Sequence, residues 1–119
     1  MSDPAARYLA TLGKMAEAEG DDGLGQNRPR QWNRLVERLQ VARKELAATE
    51  SGQELINGLL DDPRVTVRLW AASHALHWNA HAARTVLEEI QADPALGLNG
   101  LNAEMTLREF DARRLNPDW

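Results

Sequence analysis

The chain has no cysteine and, among its 119 residues, only one phenylalanine and one tyrosine. Without cysteine there is no disulfide, no thiol nucleophile and no zinc centre built on thiolates, and the redox compartment stays open. No apolar run approaches the roughly 20 residues that a bilayer span needs, and the opening MSDPAARYLATLGKM lacks a basic stretch followed by an apolar one. The expectation is therefore a cytoplasmic protein with no membrane association. There is no Gly-x-Ser-x-Gly elbow and no glycine-rich phosphate loop, so the familiar hydrolase and nucleotide-binding signatures are missing. Positive charge is also short: 14 basic against 18 acidic side chains leave a formal charge of −4, which argues mildly against a general nucleic-acid binder and suits a basic partner.

What is present is ordinary for a folded domain. With 43% hydrophobic and 27% charged residues, the composition supports one globular domain over 1–119, large enough for a real core. Its hydrophobic residues recur at helical spacing throughout, and no stretch alternates as a strand would. Asp3-Pro4 reads as a helix start, and Tyr8, Leu9, Leu12, Met15 and Ala16 keep the period to about Glu19. Gly20 to Pro29, GDDGLGQNRP, has three glycines and a proline and reads as a flexible connection. Trp32, Leu35, Val36, Leu39, Ala42 and Leu46 form the clearest amphipathic stripe, on a helix from about Arg30 to Thr49 that Ser51-Gly52 closes. Leu55, Ile56, Leu59 and Leu60 make a short helix ending at Asp61-Asp62.

The stretch from Leu55 to Ile90 organises the rest. Pro63 is expected in the first turn of a helix, where its missing N–H costs nothing, with Asp62 as the cap. Val67, Trp70, Ala71, His74 and Ala75 then share one face, widened by Ala72 and Leu76, and the alanines allow another helix to come close. Trp78-Asn79 interrupts the pattern. Ala83, Val86, Leu87 and Ile90 are the buried face of the next helix. After Asp93-Pro94 and a loop with Gly97 and Gly100, Asn102 is expected to cap a last helix, AEMTLREFDARR, packed through Leu107 and Phe110. Six helices and no strand predict an all-α fold. Three antiparallel pairs in one right-handed stack would make a short α-solenoid.

The pattern LLDDPRVTVRLWAASHAL followed by AARTVLEEI resembles a short HEAT-type repeat. The order NRLVERL, LLDDPRVTVRLWAA, a Leu-Glu-x-Ile helix and AEMTLREF with a basic tail is similar to a small bacterial family, domain of unknown function twenty-nineteen, over about Gln31 to Pro117. The resemblance implies one helical-repeat domain with no known activity and no catalytic residue to carry over. Small helical families of this kind often resemble immunity proteins that neutralise secreted toxins. In HEAT-like units the arginine after valine pairs with an aspartate near the helix start, so Arg68 is expected to meet Asp61 or Asp62.

Several residues invite a chemical reading. His74, His77 and His81 would lie near one face of an unbroken helix, where three imidazoles can hold zinc. The break at Trp78-Asn79 separates them, and a packed or capping role suits each, so no metal or cofactor is expected. Asp61-Asp62 and Glu88-Glu89 are sequence neighbours, and adjacent helical residues point about 100° apart, so neither pair shares one proton by sequence alone. Ser73 and His74 fail as a nucleophile and base for the same reason, and no catalytic residue is assigned. Arg30, Arg34 and Arg38 repeat at i, i+4 and would face phosphates on a nucleic acid, or simply solvent. Four tryptophans dominate the aromatic set. Trp32 and Trp70 fall on apolar stripes, whereas Trp78 at a turn and the terminal Trp119 suit either exposed anchors or, for Trp78, packing beneath the turn. The expected function is a non-catalytic protein-binding module, in the first instance an immunity protein covering a basic toxin through Asp61, Asp62, Trp78, Glu88, Glu89, Asp93 and Glu104. The alternatives are a nucleic-acid-associated helical repeat and an enzyme with an unrecognised site.

Overall fold

The computed structural model describes residues 3–19 and 29–113. The glycine-rich connection lies outside them except for Pro29, as do the last residues, including Trp119. Six α-helices account for most of the described residues, with no strand among them.

Helix α1 (Pro4–Glu19) starts where its capping residue dictates: Asp3 Oδ1 accepts the Ala6 N–H at 3.1 Å, so Pro4 falls in the first turn. Its Tyr8, Leu12 and Met15 are buried on one face. Helix α2 (Pro29–Ala47) buries Leu39, Ala42, Arg43 and Leu46.

The junction that follows corrects the sequence reading. Ser51-Gly52 does not close α2 but lies inside α3 (Glu50–Gly58). Thr49, in extended conformation, caps α3 by accepting the Gly52 N–H at 3.0 Å. Glycine is required at 52 because of a close approach: a Cβ there would stand 2.0 Å from the carbonyl oxygen of Leu46.

A 3₁₀ turn (Leu59–Asp61) extends α3. The next helix was expected to begin at Pro63 under an Asp62 cap. Instead Asp62 Oδ1 accepts the N–H of Arg64 at 2.9 Å, two residues on, and closes a local turn. Helix α4 (Val65–Ala75) therefore starts after the proline, with no side-chain cap.

Helix α4 is buried on almost every side. Val65, Thr66, Val67, Leu69, Ala71, Ala72, Ser73, His74 and Ala75 are all inside, and only Arg68 and Trp70 reach partly to the surface. A helix apolar around its whole girth belongs to the centre of a domain. It packs against α1, α3, α5 (Ala80–Ala92) and α6 (Leu98–Asp111). Trp78-Asn79 does break the chain between α4 and α5, as expected, and Ala83, Leu87 and Ile90 are the buried positions of α5. After a 3₁₀ turn (Pro94–Leu96) capped by Asp93, Gly97 takes a positive φ of 56° and turns the chain into α6 at once. Asn102 is thus not the cap that was expected but an interior residue, its carbonyl accepting the Thr106 hydroxyl at 2.9 Å.

Two polar contacts pin the core. The Tyr8 hydroxyl and His74 Nδ1 share a buried hydrogen bond of 2.7 Å that joins α1 to α4. The tautomer of the ring decides which of them donates. Burial, reinforced by the charges of Arg43 and His77, pushes His74 down to about 3, and burial likewise raises the Tyr8 hydroxyl, against an opposing influence of Arg43. Arg68 does not take the carboxylate partner expected for it. Its Nη1 donates to the backbone carbonyls of Asp62 at 2.9 Å and Pro63 at 3.2 Å, because the Asp62 carboxylate already holds Arg64.

Gly52→Ala should destabilise the domain by roughly 3 kcal/mol or more, since the new methyl meets backbone that cannot swing aside. A lower urea midpoint with an unchanged slope would show this. The neutral His74 sets a pH dependence whose sign follows from linkage. In the unfolded chain the ring gains a proton below about 6.5, whereas in the folded chain it refuses one until about 3. Stability should accordingly fall as pH drops through that window, with a slope approaching 1.4 kcal/mol per pH unit at most. Urea titrations across pH should show a shallower acid dependence in His74→Gln than in the parent chain.

Candidate binding groove

The turn geometry around Asp62 and the break at Trp78 place two helix junctions side by side. Between them lies a groove of about 590 Å³, lined on one side by Asn57, Leu60, Asp61 and Arg68 and on the other by Asn79, Ala82, Thr85, Val86 and Glu89. The α5 residues in this set recur at i, i+3, i+4 and i+7, so one stripe of that helix forms a whole wall. Asp61 and Glu89 are exposed carboxylates, and Asn57 and Asn79 are half-buried amides.

Hydrogen bonds fix several of the groove's lining residues. Trp78 is half-buried, and its indole N–H donates to Asn57 Oδ1 at 2.9 Å, tying the α4–α5 turn to the end of α3. This contact makes Trp78 part of the packing under the groove. Arg68 fixes the chain just after Asp61 through the main-chain carbonyls of 62 and 63. The Thr85 hydroxyl donates to the His81 carbonyl one turn back, at 3.1 Å. A ligand in the groove would meet the acceptor-only carboxylates of Asp61 and Glu89, the amides of Asn57 and Asn79, the Oδ1 of Asn57 already accepting from Trp78, and the cationic Arg68.

The other acidic residues singled out in the sequence lie elsewhere. The Asp62 carboxylate is engaged by Arg64, with Nε at 3.1 Å and Nη2 at 3.2 Å, and that hydrogen-bonded guanidinium holds the carboxyl below its ordinary value while lifting its own. Glu88 is exposed on the neighbouring stripe of α5, beside Arg84, whose guanidinium pairs with Asp111 of α6. Asp93 caps the 3₁₀ turn by accepting the Ala95 N–H at 3.0 Å, and Glu104 pairs with Arg108 at 2.7 Å along α6. Of the seven residues that the sequence singles out, the structure gathers Asp61 and Glu89 in the groove, ties Trp78 to its lining residue Asn57, and distributes the remaining four.

The histidines also part company. His74 is in the core, His77 packs edge-on against Phe110 with ring centroids 6.1 Å apart, and His81 is exposed on α5. Ser73 is buried, its hydroxyl donating to the Leu69 carbonyl at 2.7 Å, and it turns away from any role beside His74. Of the basic row, Arg34 and Arg38 line a second groove, with Arg7 of α1, whereas Arg30 is exposed at the start of α2 and does not.

Asn57, Asn79 and Arg68 escaped sequence reasoning as members of one site. The signal that bears on Asn57 is Trp78 itself, since a partly buried indole N–H needs an acceptor, which Asn57 supplies from 21 residues away.

No curated protein and no solved structure matches the chain. A family model does, over residues 9–111, from the first turns of α1 to the last residue of α6. The chain belongs to that family, Domain of unknown function (DUF2019).

Proposed function

We propose that this domain is a non-catalytic protein-binding module that receives a basic segment of a partner in the groove between α3 and α5. The observation that carries the reading is the pairing of Asp61 and Glu89, distant in sequence, in one open groove of about 590 Å³ where they outnumber the cation Arg68. Carboxylates facing a cationic partner chiefly speed its association and fix its register, while Asn57 and Asn79 offer hydrogen bonds to its main chain. The formal charge of −4 adds a long-range attraction in the same direction. Covering a basic toxin is the form of this activity suggested by the likeness of small helical families to immunity proteins. The cytoplasm is the compartment proposed for it.

The scaffold we infer is a short HEAT-like stack of three helix pairs. Its support is the succession of packed neighbours, α1 with α2, α3 with α4, and α5 with α6, joined by contacts of α2 with α3 and of α4 with α5 and α6. The first pair departs from a uniform stack, because α1 lies on α4, the second helix of the adjoining pair.

With the domain as bait, the first protein to try is the product of the gene immediately upstream. Asp61→Lys combined with Glu89→Lys should leave the thermal midpoint close to that of the parent and weaken capture of a stoichiometric basic protein by about tenfold or more, mainly through slower association. Glu88→Lys, outside the groove, should change it little. Equal capture by the parent and the double variant would reject the groove as the contact surface, and recovery of nucleic acid alone would favour a nucleic-acid-associated domain.

A further inference from the structure

We infer that the second groove, between α1 and α2, is a binding site for a small organic phosphate. It encloses about 380 Å³ and is lined by Arg7 and Thr11 from α1 and by Arg34, Glu37, Arg38 and Val41 from α2. That volume is at the small end of ligand clefts, which run to about 300–1,000 Å³. In a chain with an excess of acidic residues, three of the six lining side chains are guanidinium groups and only one is a carboxylate.

The cations converge because of helix geometry. Arg34 and Arg38 are one turn apart and project from the same stripe of α2, and the packing of α1 on α2 brings Arg7 across from them. Arg34 and Arg38 are exposed and form no ion pair among the described residues. Arg7 donates through Nη2 to Glu45 at 2.6 Å, which steadies it at the rim. Its Nε is covered from solvent yet has no hydrogen-bond partner among the described residues. A covered donor with no acceptor is costly, and a modest turn of the guanidinium toward an oxyanion would satisfy it.

Arginine suits this role for a geometric reason. Its planar fork matches the oxygens of a phosphoryl group bidentately, and guanidinium groups from two helices can hold one dianion from different sides. Val41, with 53% of its surface exposed, gives the groove an apolar wall for the organic part of the ligand. A nucleic-acid duplex fits less well. The cations meet in a cleft instead of following a line, Arg30 at the end of the row lies outside it, and Glu37 interrupts it. This site shares no lining residue with the groove between α3 and α5, so the two assignments stand or fall separately.

Adenosine monophosphate and inorganic phosphate, titrated into the whole chain near physiological ionic strength, provide the test, read by calorimetry and by the arginine Nε–H signals in NMR spectra. Saturable binding of adenosine monophosphate is expected, tighter than that of inorganic phosphate. Arg34→Gln combined with Arg38→Gln should weaken it by at least about tenfold, or roughly 1.4 kcal/mol. Glu45→Gln, which releases Arg7, should strengthen it. Lys44→Gln, exposed on α2 but outside the groove, should leave it unchanged. Equal affinity for the two probes, an equal loss in Lys44→Gln, no saturation at millimolar ligand, or binding of a short DNA duplex alone would each overturn the assignment.

Discussion

Almost everything in this domain depends on the enclosure of α4. A helix that touches α1, α3, α5 and α6 leaves only Arg68 and Trp70 partly open to water, so the rest must be built from side chains that are small, apolar or hydrogen-bonded. Ala71, Ala72 and Ala75 meet the first two requirements. Ser73 meets the third inside its own helix, through the Leu69 carbonyl, and His74 meets it across the core, through Tyr8. A polar pair at such a depth does little for net stability compared with an apolar pair of the same shape, but it penalises any packing that leaves either group alone. The Tyr8–His74 bond therefore specifies which face of α1 meets α4. Tilted ring contacts continue from His74 to Trp70 and Trp32, with centroids 6.0 and 6.5 Å apart, and carry the same alignment out to α2.

How much of this was legible in the sequence depends on which forces act locally. The helices themselves were, because apolar spacing is a property of the chain alone: Trp32 to Leu46, Val67 to Leu76 and Ala83 to Ile90 all lie where the period places them. Helix starts were less so. Asp62-Pro63 and Asn102 both carry the chemistry of a helix start, yet the first closes a turn onto Arg64 and the second lies within α6. Gly52 looked like a terminator because glycine often is one, whereas its actual reason is the carbonyl of Leu46, a neighbour that only the folded chain reveals. The site followed the same division. Asp61 and Glu89 could each be named as exposed acids, but that they share a groove is a fact of packing, as is the arrival of Arg7 opposite Arg34 and Arg38.

The net charge hides this arrangement. A total of −4 suggests a uniformly acidic surface, but the grooves differ in balance, with Asp61 and Glu89 outnumbering Arg68 along the α3–α5 cleft and Arg7, Arg34 and Arg38 outnumbering Glu37 along the α1–α2 cleft. The α1–α2 cleft takes its walls from one packed helix pair and the other from the end of α3, the 3₁₀ turn, Arg68 of α4 and α5, so the local fields are set by packing and only loosely by composition. Ion pairs on the remaining surface join Arg84 of α5 with Asp111 of α6 and Glu104 with Arg108 along α6. Exposed pairs of this sort add little to stability, and their main effect is to keep those faces electrically quiet.

The manner in which Arg68 is held has a consequence for variation. Its guanidinium grips main-chain oxygens at 62 and 63, and such oxygens are present whatever side chains those positions carry. The corner is thereby insulated from change at Asp61 beside it, one of the two acids on the groove's rim. A different charge at that spot would leave this scaffold contact in place, so the rim can vary without cost to the corner beneath it.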